Sequence, residues 1–480
     1  MRRTKIVATL GPSTDEPGML EKIVKAGADV VRLNYSHETR EKHKERAMQL
    51  RAASRALGTE VAIIADLRGP KIRIGSFKAG KVQLPEGAPF TIDADLRKDE
   101  GDAHHVGVSY KNLPRDVHSG DKLLIDDGRV ALQVKKVSGS RVECEVVLGG
   151  EISNNKGINR QGGGLSAGAL TAKDRADVRH AVEIGVDFIA ISFARSANDL
   201  HEARRLIEDA GGKAGIIAKI ERAEALDAID AIVDASEAIM IARGDLGVEI
   251  GDAALPPVQK NLIKLARDMD RAAITATQMM ESMIDNQMPT RAEVFDVANA
   301  VLDGTDSVML SAETSIGHYP DKAIEAMVRV CLEAEKQHIA RTSDHRINLR
   351  FKRIDEAIAM STMYAANHIG AKAIAALTET GATCVWMSRI SSGIPIFAFT
   401  RHVETGRKMT LYRGVYPIGF DITHTDPLAA NKEMISELVK RGTVDDGDLV
   451  IITKGDLRGR TGGTNNMKIV RVGEPIDHMV

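Results

Sequence analysis

Short apolar runs alternate with helix-length segments along most of this chain of 480 residues, and that rhythm limits the folds it can adopt. Each run is too short for a helix and leads into polar or charged residues, as buried parallel strands do. Eight runs occur at residues 5–10, 29–33, 61–65, 187–193, 215–220, 238–242, 273–277 and 307–311. Eight βα units predict a closed (β/α)8 barrel, the TIM barrel, with its ligand site at the carboxyl ends of the strands.

Residues 71–167 interrupt this rhythm between the third and fourth runs. They contain turn signals at Pro85-Glu86-Gly87 and Asp126-Asp127-Gly128, and short alternating runs at 81–84, 90–93, 122–125, 131–137 and 141–148. The segment is far longer than an ordinary βα loop. We therefore predict an all-β domain inserted after the third barrel strand.

Strands and helices still alternate after the eight units are complete. Runs at 373–377, 395–399, 415–419 and 449–453, and a helix over 428–440 that Pro427 introduces, predict a separate open α/β domain. The predicted domains are a barrel at 1–70 and 168–340, the β insertion at 71–167 and the C-terminal domain at 341–480.

A charged cluster follows the fifth and sixth barrel runs. Lys219 and Glu221 are two residues apart and project to one face of a strand, and Asp245 arrives beside them one βα unit later. Paired carboxylates suit Mg2+ and a neighbouring ammonium suits a phosphate, so the cluster predicts a phosphorylated anion with a divalent metal. Two ordinary readings compete: a surface ion pair at a strand end, and a chance adhesion-like tripeptide at residues 243–245.

The ends of the other strands favour the ligand site over these readings. The barrel would bring polar side chains from six strands or more to one face, which makes chance clustering a poor explanation. These side chains belong to Arg32, Asn34, Asp66, Lys219, Glu221, Asp245, Thr277 and Glu313.

A second candidate site lies in the C-terminal domain. Hydroxyls and amides before a helix, facing a glycine-rich basic loop, can hold a phosphate. The candidate residues are Thr378, Thr380, Gly381, Thr383, Lys454, Arg458 and Arg460. A solvated turn would show the same pattern, so both interpretations stay open.

Composition narrows the function classes. Lys and Arg number 65 against 67 Asp and Glu, a net charge of -2, which gives no basic field for nucleic acid or a membrane surface. Cys144, Cys331 and Cys384 are far apart without a CxxC motif, as expected of buried thiols in a reduced cytoplasmic protein. No run predicts a signal peptide or a transmembrane span.

Nine stretches in this order make the chain resemble the pyruvate kinase family along essentially its whole length. They are TKIVATLGP from Thr4, RLNYSH from Arg32, ADLRGPKIR from Ala65, IDDG from Ile125, NNKGIN from Asn154, IAKIE from Ile217, ARGDLGVEI from Ala242, ATQMMESM from Ala276 and MLSAET from Met309. The resemblance implies a bacterial-type member without the extra N-terminal segment of animal forms. It would be a homotetramer that transfers the phosphoryl group of phosphoenolpyruvate to ADP with Mg2+ or Mn2+, beneath the β insertion as a lid.

The resemblance also implies roles for individual residues. Arg32 and Lys219 would stabilise the transferring phosphoryl group, and Glu221 and Asp245 would hold the metal. The backbone at Ala242, Arg243, Gly244 and Asp245 would bind the substrate carboxylate. Thr277 would help bring a proton to the enolate, supported by Ser311 and Glu313, and the nucleotide residues would be Asn34, His37, Arg73 and Lys156.

Lys71 departs from the family pattern. Members that need K+ carry a glutamate here and hold the ion with residues that match Asn34, Ser36, Asp66 and the backbone of Leu67. An ammonium can supply the charge that K+ would bring, and two cations in one small site repel each other. We therefore predict activity without K+. The alternative is that Lys71 is a solvated hinge residue and K+ still binds.

Glu379 is a second departure. It is acidic where members that bind fructose 1,6-bisphosphate usually are not, and repulsion should weaken a doubly phosphorylated ligand. The predicted activator is a monophosphate, such as a sugar monophosphate or AMP.

Two other functions would share the metal carboxylates: a (β/α)8 lyase or mutase acting on phosphoenolpyruvate or pyruvate, and a non-catalytic phosphometabolite sensor. Neither would need the inserted domain together with Arg73 and Lys156, and the sensor would not need Lys219.

Overall fold

The computed structural model describes residues 1–341, 350–421, 427–455 and 462–475. In chain order the strands are β1 Lys5–Leu10, β2 Val30–Asn34, β3 Ala62–Asp66, β4 Lys81–Leu84, β5 Pro89–Asp93, β6 His105–Gly107, β7 Lys122–Ile125, β8 Val130–Ser138, β9 Arg141–Leu148, β10 Gly150–Ser153, β11 Ile158–Arg160, β12 Phe188–Ile191, β13 Gly215–Ile220, β14 Ala238–Ala242, β15 Ala272–Ala276, β16 Ser307–Leu310, β17 Ala373–Leu377, β18 Ile396–Thr400, β19 Val415–Gly419, β20 Leu449–Gly455 and β21 Thr464–Arg471.

The helices follow the same order. They are α1 Met19–Ala26, α2 Arg40–Ala56, α3 Leu113–Asp116, α4 Ala172–Glu183, α5 Ala197–Asp209, α6 Ala223–Asp227, α7 Ile229–Asp234, α8 Arg243–Ile250, α9 Leu255–Asp268, α10 Arg291–Asp303, α11 Ala312–Ser315, α12 Pro320–Ala334, α13 Ile354–Ile369, α14 Ala382–Ser388, α15 Val403–Met409 and α16 Pro427–Lys440.

Eight parallel strands close into a barrel in the order β1, β16, β15, β14, β13, β12, β3, β2. The circle is complete because β1 pairs with both β2 and β16. The predicted (β/α)8 barrel is confirmed. Since all its strands are parallel, their carboxyl ends meet on one face.

The pleat of β13 explains how a lysine comes to point into the barrel. Ile216, Ala218 and Ile220 pack outward between strands and helices, whereas Ile217 packs inside the barrel. Alternate residues share a face, so Lys219 follows Ile217 to the interior, nearer the carboxyl end. The residues that pack with Ile217 inside the barrel are apolar, and a charged side chain beside them requires partners.

Polar caps determine where several outer helices begin. Thr171 accepts a hydrogen bond from the amide of Asp174, and Thr290 accepts one from that of Glu293. In both helices the acidic side chain returns to the backbone of the capping residue, which satisfies a second helix amide. Helix α10 ends at Asp303, and Gly304 caps it with a φ of 90° that suits glycine.

The insertion folds as predicted into an all-β domain with its own apolar core. A six-stranded sheet runs in the order β11, β7, β8, β9, β5, β6, and β10 pairs with β4 in a second sheet. Sequence reading missed β6, β10 and β11, because strands of three or four residues carry too little alternation to be recognised.

The C-terminal domain contains an open sheet in the strand order β19, β18, β17, β20, β21. Helices α13 to α16 alternate with the strands along the chain. The first four strands are parallel, and β21 lies antiparallel to β20. The α/β prediction is confirmed, but β21 was missed because its first half is polar.

All three cysteines are buried free thiols. Among the described residues, every helix is too short or too polar to cross a bilayer.

Candidate active site

Asp66 ends β3 and joins two cations at the mouth of the barrel. Arg32 Nε lies 2.6 Å from Asp66 Oδ2, and Lys219 Nζ lies 3.1 Å from Asp66 Oδ1. Burial alone would raise the pKa of Asp66, but Lys219 and Arg32 outweigh it and hold that pKa below its ordinary value. Two cations meet at one buried carboxylate here. Neighbouring cations of this kind suit the oxygens of a phosphoryl group.

Lys219 contacts two further groups. Its Nζ lies 2.9 Å from Glu221 Oε1 and donates to Ser192 Oγ at 2.7 Å. Burial by itself lowers the pKa of Lys219, but attraction to Asp66 and Glu221 is stronger and raises it above its ordinary value. Lys219 is therefore an ammonium in a defined position.

Ser192 is a site residue that sequence reasoning missed. Its hydroxyl accepts from Lys219 and donates to Leu67 O at 2.8 Å, so it holds the ammonium against the end of β3. The predicted strand at 187–193 absorbed Ser192, whereas β12 ends at Ile191. A correctly placed strand end would have identified Ser192 by the rule that identified Lys219.

Glu221 and Asp245 supply the carboxylates that could hold a divalent cation. Glu221 Oε2 accepts from Phe193 N at 2.8 Å, and Lys71 Nζ lies 3.0 Å from Asp245 Oδ1. Burial raises the pKa of Glu221, and the nearby Asp245 carboxylate adds to that effect against the attraction of Lys219. A divalent ion bound by both carboxylates would offset the repulsion between their negative charges.

The donor set fits Mg2+ rather than a metal held by protein alone. Within the described ranges, no group of three or more His, Cys, Asp and Glu side chains converges on one metal position. Mg2+ commonly takes one or two carboxylates and completes its shell with water and substrate phosphate oxygens. Glu221 and Asp245 match that pattern.

Thr277 follows β15 in a strained conformation. Its φ is 64°, in the left-handed region that a β-branched residue rarely adopts, and Gln278 follows at 54°. The Thr277 hydroxyl donates to Ala276 O at 2.7 Å and accepts from Gly244 N at 3.0 Å. The loop after β15 is thereby joined to the start of α8, and the Gly244 amide is directed at Thr277.

Arg243 braces this strained turn with its side chain. Its Nη2 donates to Thr277 O at 2.6 Å, and its Nη1 donates to Asp296 Oδ1 at 2.7 Å. The resemblance assigned only the backbone of Arg243, so the bracing guanidinium and Asp296 were missed. Asp296 lies on α10 and carries no signal that sequence spacing alone could connect to Arg243.

Glu313 and Ser311 lie at the end of β16. Glu313 Oε1 accepts from Met280 N at 3.1 Å and Oε2 accepts from Ser311 N at 2.6 Å, which ties the loop after β15 to β16. Burial raises the pKa of Glu313 in spite of these amides. The carboxyl group therefore favours its protonated form more than an exposed glutamate does.

The predicted nucleotide residues are spread between the barrel mouth and the lid. Arg73 Nη1 donates to Asn155 O at 2.9 Å, and Lys156 Nζ lies 2.9 Å from Asp126 Oδ1. A cavity of about 310 Å³ opens beside Arg73 and is strongly basic. Its cationic lining comprises Arg68, Lys71, Arg73, Lys98 and Lys111. Lys98 and Lys111 were missed, because they lie on separate loops of the insertion.

The remaining predicted residues lie at or just after the ends of β2 and β3. Asn34 Oδ1 accepts from Ser36 N at 3.1 Å, and the carbonyl of the exposed His37 accepts from His43 Nε2 at 3.1 Å. Leu67 O accepts from Ser192. Of the residues that resemble a K+ site, Asp66 and Leu67 are thus engaged by the Lys219 cluster.

The C-terminal candidate site is described in part. Thr378 Oγ1 accepts from Gly381 N at 2.9 Å, and Thr383 and Thr464 share a hydroxyl contact of 2.9 Å at the start of α14. Lys454 lies in β20, and Arg458 and Arg460 lie outside the described residues. Thr380 accepts from Ala382 N at 3.5 Å.

Glu379 in the same loop faces two basic side chains. Its Oε2 lies 3.3 Å from Arg401 Nε and 2.5 Å from His402 Nε2. Because Glu379 already pairs with Arg401 and His402, these side chains are less available to a second phosphate.

This geometry defines a phosphotransferase built on a (β/α)8 barrel, because Arg32 and Lys219 are neighbouring cations that suit a phosphoryl group, next to two carboxylates that suit a divalent metal. Residues 1–324 match the family model "Pyruvate kinase, barrel domain", and residues 356–470 match "Pyruvate kinase, alpha/beta domain". The chain belongs to the pyruvate kinase family.

Individual relatives agree over nearly their full length. Pyruvate kinase II of Salmonella typhimurium is 56% identical over 476 residues, which cover 98% of this chain and 99% of the relative. A pyruvate kinase of Haemophilus influenzae is 55% identical over 459 residues, covering 95% and 96%. A crystal structure of a pyruvate kinase from Cryptosporidium parvum superposes with a TM-score of 0.91 at 34% identity, covering 98% of this chain and 96% of that one.

Proposed function

We propose that this enzyme transfers the phosphoryl group of phosphoenolpyruvate to ADP, giving pyruvate and ATP in the last step of glycolysis. The observation that carries the proposal is the shared carboxylate of Asp66, which holds Arg32 and Lys219 as neighbouring cations. A transferring phosphoryl group spreads its charge over three oxygens, and preorganised cations stabilise that charge most.

Glu221 and Asp245 would hold Mg2+ or Mn2+. The metal, when bound, would neutralise phosphoryl charge and orient the reacting oxygens. The backbone amides of Ala242 to Asp245, where α8 begins, would bind the substrate carboxylate. The amide of Gly244 already donates to Thr277, so the carboxylate would share or replace that hydroxyl.

Thr277 would deliver the proton that converts the enolate into pyruvate. Its hydroxyl is held at the barrel mouth between Ala276 O and Gly244 N. Ser311 and Glu313 would support the relay, and the raised pKa of Glu313 helps it to retain a proton.

The β insertion, with boundaries near residues 71 and 167, would close over the site and exclude water. Arg73 and Lys156 would meet the nucleotide phosphates from the lid, and Asn34 and His37 from the barrel. The basic cavity beside Arg73 supports this assignment, because its five cationic residues suit a polyphosphate.

The enzyme would work without K+. The Lys71 ammonium is 30% exposed and lies 3.0 Å from Asp245, which supports a role within the site over that of a solvated hinge residue. Activity in tetramethylammonium buffer should match activity after addition of KCl. A collapse that KCl restores would contradict the proposal.

A phosphorylated effector would bind the C-terminal domain of a homotetramer. Thr378, Thr380, Gly381 and Thr383 would hold one phosphate, and Glu379 would disfavour a second. A sugar monophosphate or AMP is therefore the proposed activator. Activation by fructose 1,6-bisphosphate alone at micromolar concentration would contradict this choice.

Pyruvate formation from phosphoenolpyruvate, measured with and without ADP, tests the main proposal. A strict ADP requirement is expected, whereas a lyase, a mutase or a sensor would not show it. Lys219→Met should lower kcat by roughly a hundred- to a thousandfold, as loss of one preorganised charge does. Lys213→Met is the matched control, because Lys213 is exposed at the opposite end of β13.

A further inference from the structure

Lys71 lies where the chain leaves the barrel for the β insertion. Its Nζ contacts Asp245 Oδ1 at 3.0 Å, with side chains 30% and 21% exposed. Asp245 belongs to the first turn of α8. The ion pair therefore ties the outgoing connection of the lid to a helix of the barrel.

The returning connection of the lid reaches the same helix. Arg73 bridges Gly157 through the backbone, and Gly157 passes close to Lys71: a Cβ there would lie 3.5 Å from Lys71 Cε. Gly162 N donates to Glu249 O at 3.0 Å, and Glu249 lies in α8. Both crossings of the lid thus converge on α8, and Lys71 supplies the ionic contact.

Two cations would compete for the carboxylate of Asp245. The ammonium of Lys71 and a divalent cation would both seek the same carboxylate, and two cations close together repel each other. A metal that takes Asp245 must therefore displace or weaken the Lys71 contact.

We propose that Lys71 couples metal binding to the lid: its ammonium holds the lid connection on Asp245, and a divalent cation that binds Asp245 releases it. The inference rests on the proposed function, because Asp245 is a metal ligand only there. Replacement of K+ by Lys71 concerns the loaded site, after the ammonium has left Asp245, so the two roles apply to different states of the enzyme. Here Lys71 acts on the free enzyme, where it lowers metal affinity and restrains the lid until the metal arrives.

Mn2+ binding to the full-length enzyme, without substrate or nucleotide, tests the first half of the proposal. Electron paramagnetic resonance of free Mn2+ gives the dissociation constant. Lys71→Met should bind Mn2+ about three- to fivefold more tightly, since a partly exposed ion pair is worth up to roughly a factor of five. Lys71→Arg keeps the charge and should stay within about twofold of the parent enzyme.

Lys81→Met is the matched control for the loss of one lid ammonium. Lys81 pairs with Glu151 at 2.8 Å within the lid, with side chains 64% and 56% exposed. Its removal changes the net charge equally and should leave Mn2+ affinity unchanged. Equal tightening in Lys71→Met and Lys81→Met would show a general charge effect and overturn the proposal.

Hydrogen exchange of the Gly162 amide tests the second half, because that amide joins the lid to α8. In the parent enzyme Mn2+ should accelerate its exchange. In Lys71→Met exchange should be fast already and insensitive to Mn2+. Exchange that responds to Mn2+ alike in both proteins would overturn the coupling.

Asp245→Asn separates failure of the inference from failure of the metal site. It should abolish or greatly weaken Mn2+ binding. Unchanged binding in Asp245→Asn would overturn the metal assignment and the inference together. Lost binding in Asp245→Asn, combined with unchanged affinity in Lys71→Met, would overturn the role of Lys71 alone.

Discussion

Arg389 and Asp306 form a buried two-point ion pair between the C-terminal domain and the barrel, and each side chain is only 1% exposed. Arg389 Nη1 donates to Asp306 Oδ2 at 3.0 Å, and Nη2 donates to the other carboxylate oxygen. Asp306 directly precedes β16, and Arg389 directly follows α14. The pair therefore connects the helix of the candidate effector loop to a barrel strand that ends in the active site.

Arg389→Met should destabilise the enzyme by about 3–5 kcal/mol, because removing one partner leaves a buried charge without its counter-ion. Denaturation midpoints followed by circular dichroism would measure the loss. Arg97→Met is the control, since Arg97 is 76% exposed and its pairs lie at the lid surface. If Arg389→Met and Arg97→Met unfolded at the same midpoint, the ion pair would make no measurable contribution to stability.

Ser192→Ala should lower kcat about three- to tenfold, with a smaller effect on the KM for phosphoenolpyruvate. The substitution removes the hydroxyl that holds the Lys219 ammonium against Leu67, but it leaves both anionic partners of Lys219 in place. Steady-state kinetics would measure the change. Ser192→Thr restores a hydroxyl and should recover most of the activity. Equal activity in all three proteins would rule out a positioning role for Ser192.

Glu249 should make stability depend on pH. Burial raises the pKa of Glu249 to about 7, although the amide of Ala223 opposes the shift. The folded state then holds a proton that the unfolded state releases near pH 4.5, so stability falls as pH rises from about 4.5 to 7 and levels off above. The effect on the free energy of unfolding is at most about 3 kcal/mol.

Glu249→Gln tests this dependence, because the amide is neutral at every pH and can still accept a hydrogen bond. Melting temperatures of both proteins from pH 5 to pH 8 would measure it. The parent enzyme should lose stability relative to the variant as pH rises. A difference that stays constant across this range would contradict the raised pKa.

Glu379→Lys should convert the effector site toward a bisphosphate. The change frees Arg401 and His402 from their carboxylate partner and adds an ammonium to the loop. Activation by fructose 1,6-bisphosphate should appear or strengthen at least about tenfold, as a charge reversal beside phosphate allows. Effector titrations at subsaturating phosphoenolpyruvate would measure it. Glu404→Lys, an exposed change on the neighbouring helix α15, is the control.

Strand positions were predicted well where an apolar run ends abruptly in charge. The predicted bounds of β1, β13, β14 and β17 coincide with the observed ones, because a buried strand that leads into a polar site is marked on both sides. The same logic misplaced the end of β12, where apolar Phe193 follows Ser192. Short strands such as β6 and β11 were missed since their pairing depends on distant partners.

The eightfold alternation of strands and helices and the residue types at the strand ends can be recognised in the amino-acid sequence, because both follow from the pleat and from local burial. Which charges meet depends on the tertiary fold. Lys71 and Asp245 are 174 residues apart, yet the lid connection brings them into contact. Arg243 directs its guanidinium to the backbone carbonyl of Thr277 and the carboxylate of Asp296, which lie 34 and 53 residues further along the chain. Such contacts depend on how separate units dock, and no local pattern encodes them.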